Sequence, residues 1–188
     1  MSGRDLFSRN KGIINTFVFL IKICPPQFRI KILNFLRRGQ GKVRMGLRYV
    51  FLKSIAKECG DNVSIHDNVV LLSPTNLKIG SNVSIHPNCY IDAEGGIDIG
   101  SNVSIATATI MISTTHTWED TSTPIKYNPK RLTPIVIDDD VWLGCNVKVI
   151  GPCHLGERTI CAAGAVVKGD VRGHCIVGGV PAKIIKSI

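Results

Sequence analysis

The chain carries five histidines and seven cysteines, and their spacing decides what chemistry they can do. Cys24, Cys59, Cys89, Cys145, Cys153, Cys161 and Cys175 include no C-x-x-C pair, so the spacing of zinc ribbons and dithiol redox motifs is missing. Free thiols packed as small apolar residues fit better and point to a reducing compartment. Among the histidines, His116 stands apart. It lies with Trp118 in "ISTTHTWEDTSTPIKYNPKRLTP", residues 112–134, a polar run in a regular chain. An imidazole on a solvent-facing loop is suited to moving protons near neutral pH.

What positions that loop is a repeat. "CGDNVSI" (59–65), "IGSNVSI" (79–85) and "IGSNVSI" (99–105) begin 20 residues apart. Within each, an apolar or small residue recurs every six positions, as at Ile79, Ile85 and Ile91, and the series resumes at Ile137, Leu143, Val149, Leu155, Cys161 and Val167. Another apolar or small residue follows four places after each of these, including Val83, Cys89, Val103, Thr109, Val141 and Val147. A period of six excludes a helix of 3.6 residues per turn. In a strand, the fourth position and the next hexad's first share a face. Each hexad is therefore a short strand plus a corner, with Gly, Asn and Asp supplying the corner conformations. Stacked coils of three hexads give a continuous core. The 20-residue spacing adds a two-residue bulge to each of two 18-residue coils. Ile99 to Ile137 is 38 residues, one coil plus a loop of about twenty; a loop that long in a compact domain is functional or disordered.

The totals fit a soluble globular chain of 188 residues, with 44% hydrophobic, 20% charged and 6% aromatic residues and 18 glycines. Its net charge of +9 is uneven. Residues 1–57 hold 13 Lys/Arg against the single acid Asp5, and residues 58–188 hold 10 against 13. We therefore expect a basic, helical N-terminal arm (1–57) and a solenoid domain (58–188) with a loop at 113–134. The apolar run "GIINTFVFLIKIC" (12–24) contains Lys22 and is too short to cross a bilayer. Pro25 and Pro26 follow it with no small-residue cleavage site, against a signal peptide. Apolar stretches beside Lys22, Arg29, Lys31, Arg37 and Arg38 fit peripheral contact with an anionic membrane; helices capping the first coil are the alternative.

The hexads, the loop with "STTH", "PIVIDDDVWLGCNVKVI" and the ending "IVGGVPAKIIKSI" together resemble the hexapeptide-repeat acyltransferases, in particular the galactoside and maltose O-acetyltransferases and their polysaccharide-acetylating relatives. The resemblance covers residues 59–188. It implies an all-β left-handed parallel β-helix, a homotrimer, and acetyl-CoA held between neighbouring subunits as co-substrate, with no metal. It makes His116 the base that takes the proton of an acceptor hydroxyl. Such a base needs a partner to fix its tautomer, and "HPNCYIDAEGG" offers His86, Asn88 and Asp92, with Asn88 the plainest match and His86 also beside the acceptor. Trp142, at an outward hexad position, and Trp118 are expected at the substrate. Gly144, Cys145 and Ala163 are expected along the pantetheine through their main chain. Lys168, Lys183 and Lys186 are expected near its phosphates, where some relatives use arginine.

The implied function is O-acetylation of a saccharide in bacterial surface polysaccharide synthesis, in the cytoplasm at the inner face of the plasma membrane. N-acetylation of a nucleotide-linked amino sugar or an antibiotic is the alternative, and a non-catalytic binding scaffold is another. The scaffold accounts for the repeat but not for the histidine on the loop. His66 and His86 lie one repeat apart, which invites comparison with the γ-type carbonic anhydrases. Their H-x-x-x-x-H pair is absent, and His154 and His174 fall elsewhere in the hexads, so three convergent zinc ligands are not expected. No nucleic-acid-binding module or aromatic platform accompanies the basic segment, which argues against such a partner.

Overall fold

A computed structural model describes residues 3–188. Three helices, α1 (Gly3–Ile21), α2 (Pro26–Leu36) and α3 (Lys42–Ile55), precede a parallel solenoid with three faces. The first face stacks Glu58–Cys59, Leu77–Ile79, Ile97–Ile99 and Ile135–Ile137, then residues 153–155 and 169–171. Ser64–Ile65, Ser84–Ile85, Ser104–Ile105, Trp142–Leu143, Ile160–Cys161 and Cys175–Gly179 form the second. The third stacks Val70–Leu72, Tyr90–Asp92, Ile110–Ile112, then 148–150 and 166–168. This is the parallel β-helix expected, and it matches the left-handed form.

The pairing register follows the hexads. Cys59 lies opposite Ile79 and Ile79 opposite Ile99; Ile99 then pairs with Ile137, and Ile137 with Leu155. The expected two-residue enlargements fall at the corner between the third and first faces. One is the short 3-10 turn Pro74–Asn76, and the other surrounds Glu94 and Gly96. First and fifth positions of the hexads point inward. Ile85, Ile105, Met111, Leu143, Val147 and Leu155 are wholly buried, each apolar side chain contributing about 1.5–3 kcal/mol relative to exposure.

Both other corners turn through left-handed backbone. Between the second and third faces, Asn68, Asn88, Ala108 and Asn146 have φ of 57°, 62°, 61° and 59°. Asn and Asp tolerate this region because their short polar side chains bond locally. At the corner between the first and second faces, Asn62 donates to Asn82 (3.0 Å) and Asn82 to Asn102 (3.1 Å), one asparagine per coil.

The N-terminal residues form a helical cap docked on the first coil. Tyr49, Val50, Leu52 and Ile55 of α3 are buried and close the open end of the core. The Arg48 guanidinium, also buried, donates to the carbonyls of Ile65 (2.8 Å), Leu36 (3.0 Å) and Gly39 (3.0 Å), joining helix to coil. Burial pushes its pKa down from the usual arginine value. Asp61 ties the cap to the solenoid through Lys11 at 2.6 Å and Lys53 at 2.7 Å, and these partners hold its carboxyl below the usual range. Among the described residues, no helix is long and apolar enough to cross a membrane.

Candidate active site

Residues 113–134 leave the prism at the corner between the third and first faces and return to the same point. Thr114–His116 and Lys130–Leu132 run antiparallel, with His116 opposite Lys130, so the expected loop has a two-stranded base. Further out, Thr117 N–H donates to Pro129 O at 3.0 Å, and Arg131 pairs with Glu119 at 2.6 Å. Buried Asn128 closes the tip: its amide donates to Asp120 O (3.1 Å) and Thr123 O (2.9 Å). Trp118, exposed, lines an open cleft of about 580 Å³ with residues 120–125.

The feet of this hairpin are clamped by the coils on either side. Thr133 N–H donates to Ser113 O (2.8 Å), and Ser113 Oγ donates to Asp92 O (2.7 Å) while accepting from Gly95 N–H (2.9 Å). A Cβ on Gly95 would lie 2.0 Å from Ser113 O, and one on Gly151 would lie 1.9 Å from Thr133 O. Only glycine permits either approach. Sequence reading missed this clamp, although a signal exists: Gly95 stands 18 residues before Ser113, and Gly151 18 after Thr133, one coil each.

The candidate residues fall into two groups on opposite edges of the third face. The edge between the second and third faces carries Asn88, Cys145 and Ala163, all exposed, with buried Gly144. Its rungs are joined by hydrogen bonds from Ala108 N to Pro87 O (3.1 Å), Asn146 N to Thr107 O (2.9 Å) and Gly164 N to Cys145 O (2.9 Å). Asn88 and Asn146 are thus two rungs, about 10 Å, apart. His86 adjoins the same edge, its ring stacked on His66 at 5.0 Å. Burial, and then the neighbouring His86, lower the His66 pKa. Trp142 projects from the second face, 52% exposed, and Lys183 lies opposite Gly178 on the closing strand Ala182–Ser187.

The other edge carries His116 and Trp118, with Asp92 at the hairpin's root. His116 is exposed, and its ring has no hydrogen-bond partner among the described residues. Asp92 Oδ1 accepts from Glu94 N–H at 3.1 Å, shaping the enlarged corner. Lys130 pairs with Glu94 at 2.9 Å. From Asn88 to Asp92 the strand crosses the third face, about 13 Å at 3.3 Å per residue. Asp92, at the hairpin's root, is thus that far from Asn88 along the strand. Lys168 sits on the third face opposite Ile150, and Lys186 lies further along the closing strand, opposite Ile176.

At the edge holding Cys145, the exposed small side chains of Cys145 and Ala163 leave room for an acyl-CoA to lie alongside. The groove on the first face, about 520 Å³, is lined by Glu58, Asp98, Asp138, Asp139 and Glu157 with Lys78. That many carboxylates would repel a diphosphate. Among the described residues no cluster of His, Cys, Asp and Glu has the arrangement of a metal site.

No protein-family model matches the chain. A 2,3,4,5-tetrahydropyridine-2,6-dicarboxylate N-acetyltransferase of Enterococcus faecalis is 47% identical over 60 residues, 32% of this chain and 26% of that protein. The chain thus spans about a quarter of the length of that curated relative. A hexapeptide-repeat-containing acetyltransferase of Vibrio cholerae superposes with a TM-score of 0.76 at 25% identity, over 86% of this chain and 89% of that one. In its complex with acetyl coenzyme A the TM-score is 0.73 at 23% identity, over 100% and 98% of the chains. A maltose O-acetyltransferase of Clostridium difficile shares the fold with a TM-score of 0.77 at 20% identity, over 89% and 88%.

Solenoid, ejected hairpin and exposed histidine define a β-helix scaffold built to present a site on its outer edges. With these likenesses, the chain shares the β-helix fold of the hexapeptide-repeat acetyltransferases and is similar to them in sequence over 60 residues.

Proposed function

We propose that the chain is an acetyl-CoA-dependent O-acetyltransferase acting on a saccharide hydroxyl in bacterial surface polysaccharide synthesis, and that it works as a homotrimer. The observation that carries this reading is His116: an exposed imidazole, unpaired among the described residues, on a hairpin whose feet are locked between coils. A side chain held out this way is placed for an incoming substrate rather than for packing.

His116 takes the proton of the acceptor hydroxyl as its oxygen attacks the thioester carbonyl. Backbone N–H groups along the Cys145 edge stabilise the oxyanion of the tetrahedral intermediate. Collapse breaks the carbon–sulfur bond, and the imidazolium returns the proton to the departing thiolate. The edge bearing Asn88, Trp142 and Cys145 comes from one subunit and the hairpin from its neighbour, which supplies what a single chain separates. Asn88 then orients the His116 ring, with His86 and Asp92 as the other candidates for that role.

A second reading rests on the Enterococcus faecalis relative, whose name specifies transfer to nitrogen; the acceptor would then be an amino group, as on a nucleotide-linked amino sugar. Thiol release from acetyl-CoA, measured against glycans, nucleotide amino sugars and antibiotics, separates the two. We expect release with a saccharide hydroxyl, and a fall of about 10²–10⁴-fold in His116→Ala with circular dichroism unchanged. Release only with amines would favour the second reading. Wild-type turnover in His116→Ala would end the proposed mechanism.

A further inference from the structure

The helical cap presents apolar side chains to solvent on the faces that do not touch the solenoid. On α1, Phe7, Ile14, Val18 and Ile21 pack inward, whereas Ile13, Phe17 and Leu20 form a second stripe at i, i+4 and i+7, each more than half exposed. On α2, Leu33 and Leu36 are buried, while Phe28 and Phe35 point outward at 51% and 78% exposure. Ile23, 76% exposed, sits in the turn between the two helices. Six large apolar side chains exposed on two helices and the turn joining them exceed the singly scattered positions of an ordinary water-facing surface.

Cations are interleaved with them: Arg9 one turn before Ile13, Lys22 beside Ile23, Lys31 between Phe28 and Phe35, and Arg38 just past α2, all exposed. Against the one acid Asp5, the cap holds a net charge of +12. That charge decides the occupant. A second copy docked cap to cap would set two strongly positive surfaces together, whereas anionic headgroups complement the cations and the acyl region accepts the rings. Helices with this pattern lie in the plane of the interface with one face about 5–10 Å deep.

We infer that the cap seats the protein on an anionic lipid bilayer, with the outer faces of α1 and α2 in the headgroup region. Deleting residues 1–57 is an unsuitable test, because α3 covers the first coil and Leu52 is fully buried there. Exposed positions serve instead. The full-length chain, floated with vesicles of phosphatidylglycerol and phosphatidylcholine, should bind, and with phosphatidylcholine alone it should not. Lys22→Gln/Lys31→Gln should weaken binding about 25-fold, at about fivefold per cation. Phe28→Ser/Phe35→Ser should weaken it roughly tenfold or more. Thiol release with a soluble acceptor should be unchanged in both, which keeps this test separate from that of acyl transfer. Equal flotation with both vesicles, or variants that bind like wild type, would overturn the inference. So would variants that shrink the assembly on size exclusion, because a second copy would then be the occupant.

Discussion

Seven thiols in one chain have unequal reactivity because the solenoid decides which of them meets water. Burial pushes Cys153 and Cys161 up to about 12 and raises Cys89 as well, so these remain neutral and act as core residues. Cys145 sits on the opposite side of the wall and is exposed. Iodoacetamide should therefore modify Cys145 first in the native protein, with the buried thiols reacting only on unfolding. If acyl-CoA lies along that edge, saturating acetyl-CoA should slow Cys145 modification at least severalfold, read by peptide mass spectrometry; an unchanged rate would move the ligand elsewhere. Asn88 has a second reason for its identity, the left-handed corner it shares with Asn68 and Asn146. Ala108 holds the same conformation two coils along from Asn68, so the corner tolerates other residues. An Asn88→Ala variant can thus fold, and its loss of turnover would report on the amide group.

The hairpin is a rigid device because its feet are held between coils. Gly95→Ala should push a methyl into Ser113 O, which lies 2.0 Å from the position of the added Cβ, at a cost of roughly 1–3 kcal/mol of stability. Turnover should fall more than acetyl-CoA affinity does, since the hairpin tilts while the Cys145 edge stays in place; urea unfolding and steady-state kinetics would check both. The existence of the hairpin was legible in arithmetic, from a 38-residue interval where the coil needs 18. So were the buried columns, because a hexad fixes which side of a two-residue period faces inward. The antiparallel base, the asparagine clasp at Asn128 and the glycine clamp were not. They depend on which backbone atoms of neighbouring coils approach within van der Waals contact, and a one-dimensional phase does not carry that distance. The role of the first 57 residues was only half legible: charge and apolar runs indicated helices, but the outward and inward stripes of α1 are both apolar, so docking had to be seen.

The hairpin's root and the Asn88 edge lie on opposite sides of the third face, and the proposed homotrimer makes assembly part of the proposed chemistry. Sedimentation should give three times the 20.5 kDa chain mass. Co-expression of His116→Ala with Asn88→Ala offers a sharper check. If each site takes its hairpin from one subunit and its asparagine edge from the next, mixed trimers of two inactive chains contain some intact sites and regain a measurable fraction of activity. Mixtures no more active than either parent would mean that the site forms within one chain. The helical cap lies at the first-coil end of the stack, where Arg37 O accepts from Asn68 N–H at 2.9 Å.

The point where the chain leaves and re-enters the prism has an evolutionary consequence. The two feet meet at the hydrogen bond from Thr133 N–H to Ser113 O (2.8 Å), directly below the antiparallel base, and the first face resumes by pairing Ile99 with Ile137 as if nothing intervened. The entropic cost of closing a loop grows only slowly with its length. Residues 114–132 can therefore be lengthened, shortened or exchanged wholesale in a descendant gene while the wall beneath keeps its register. Such a chain can change what its hairpin presents to solvent by trading one short segment, and never has to refold its foundation to do so.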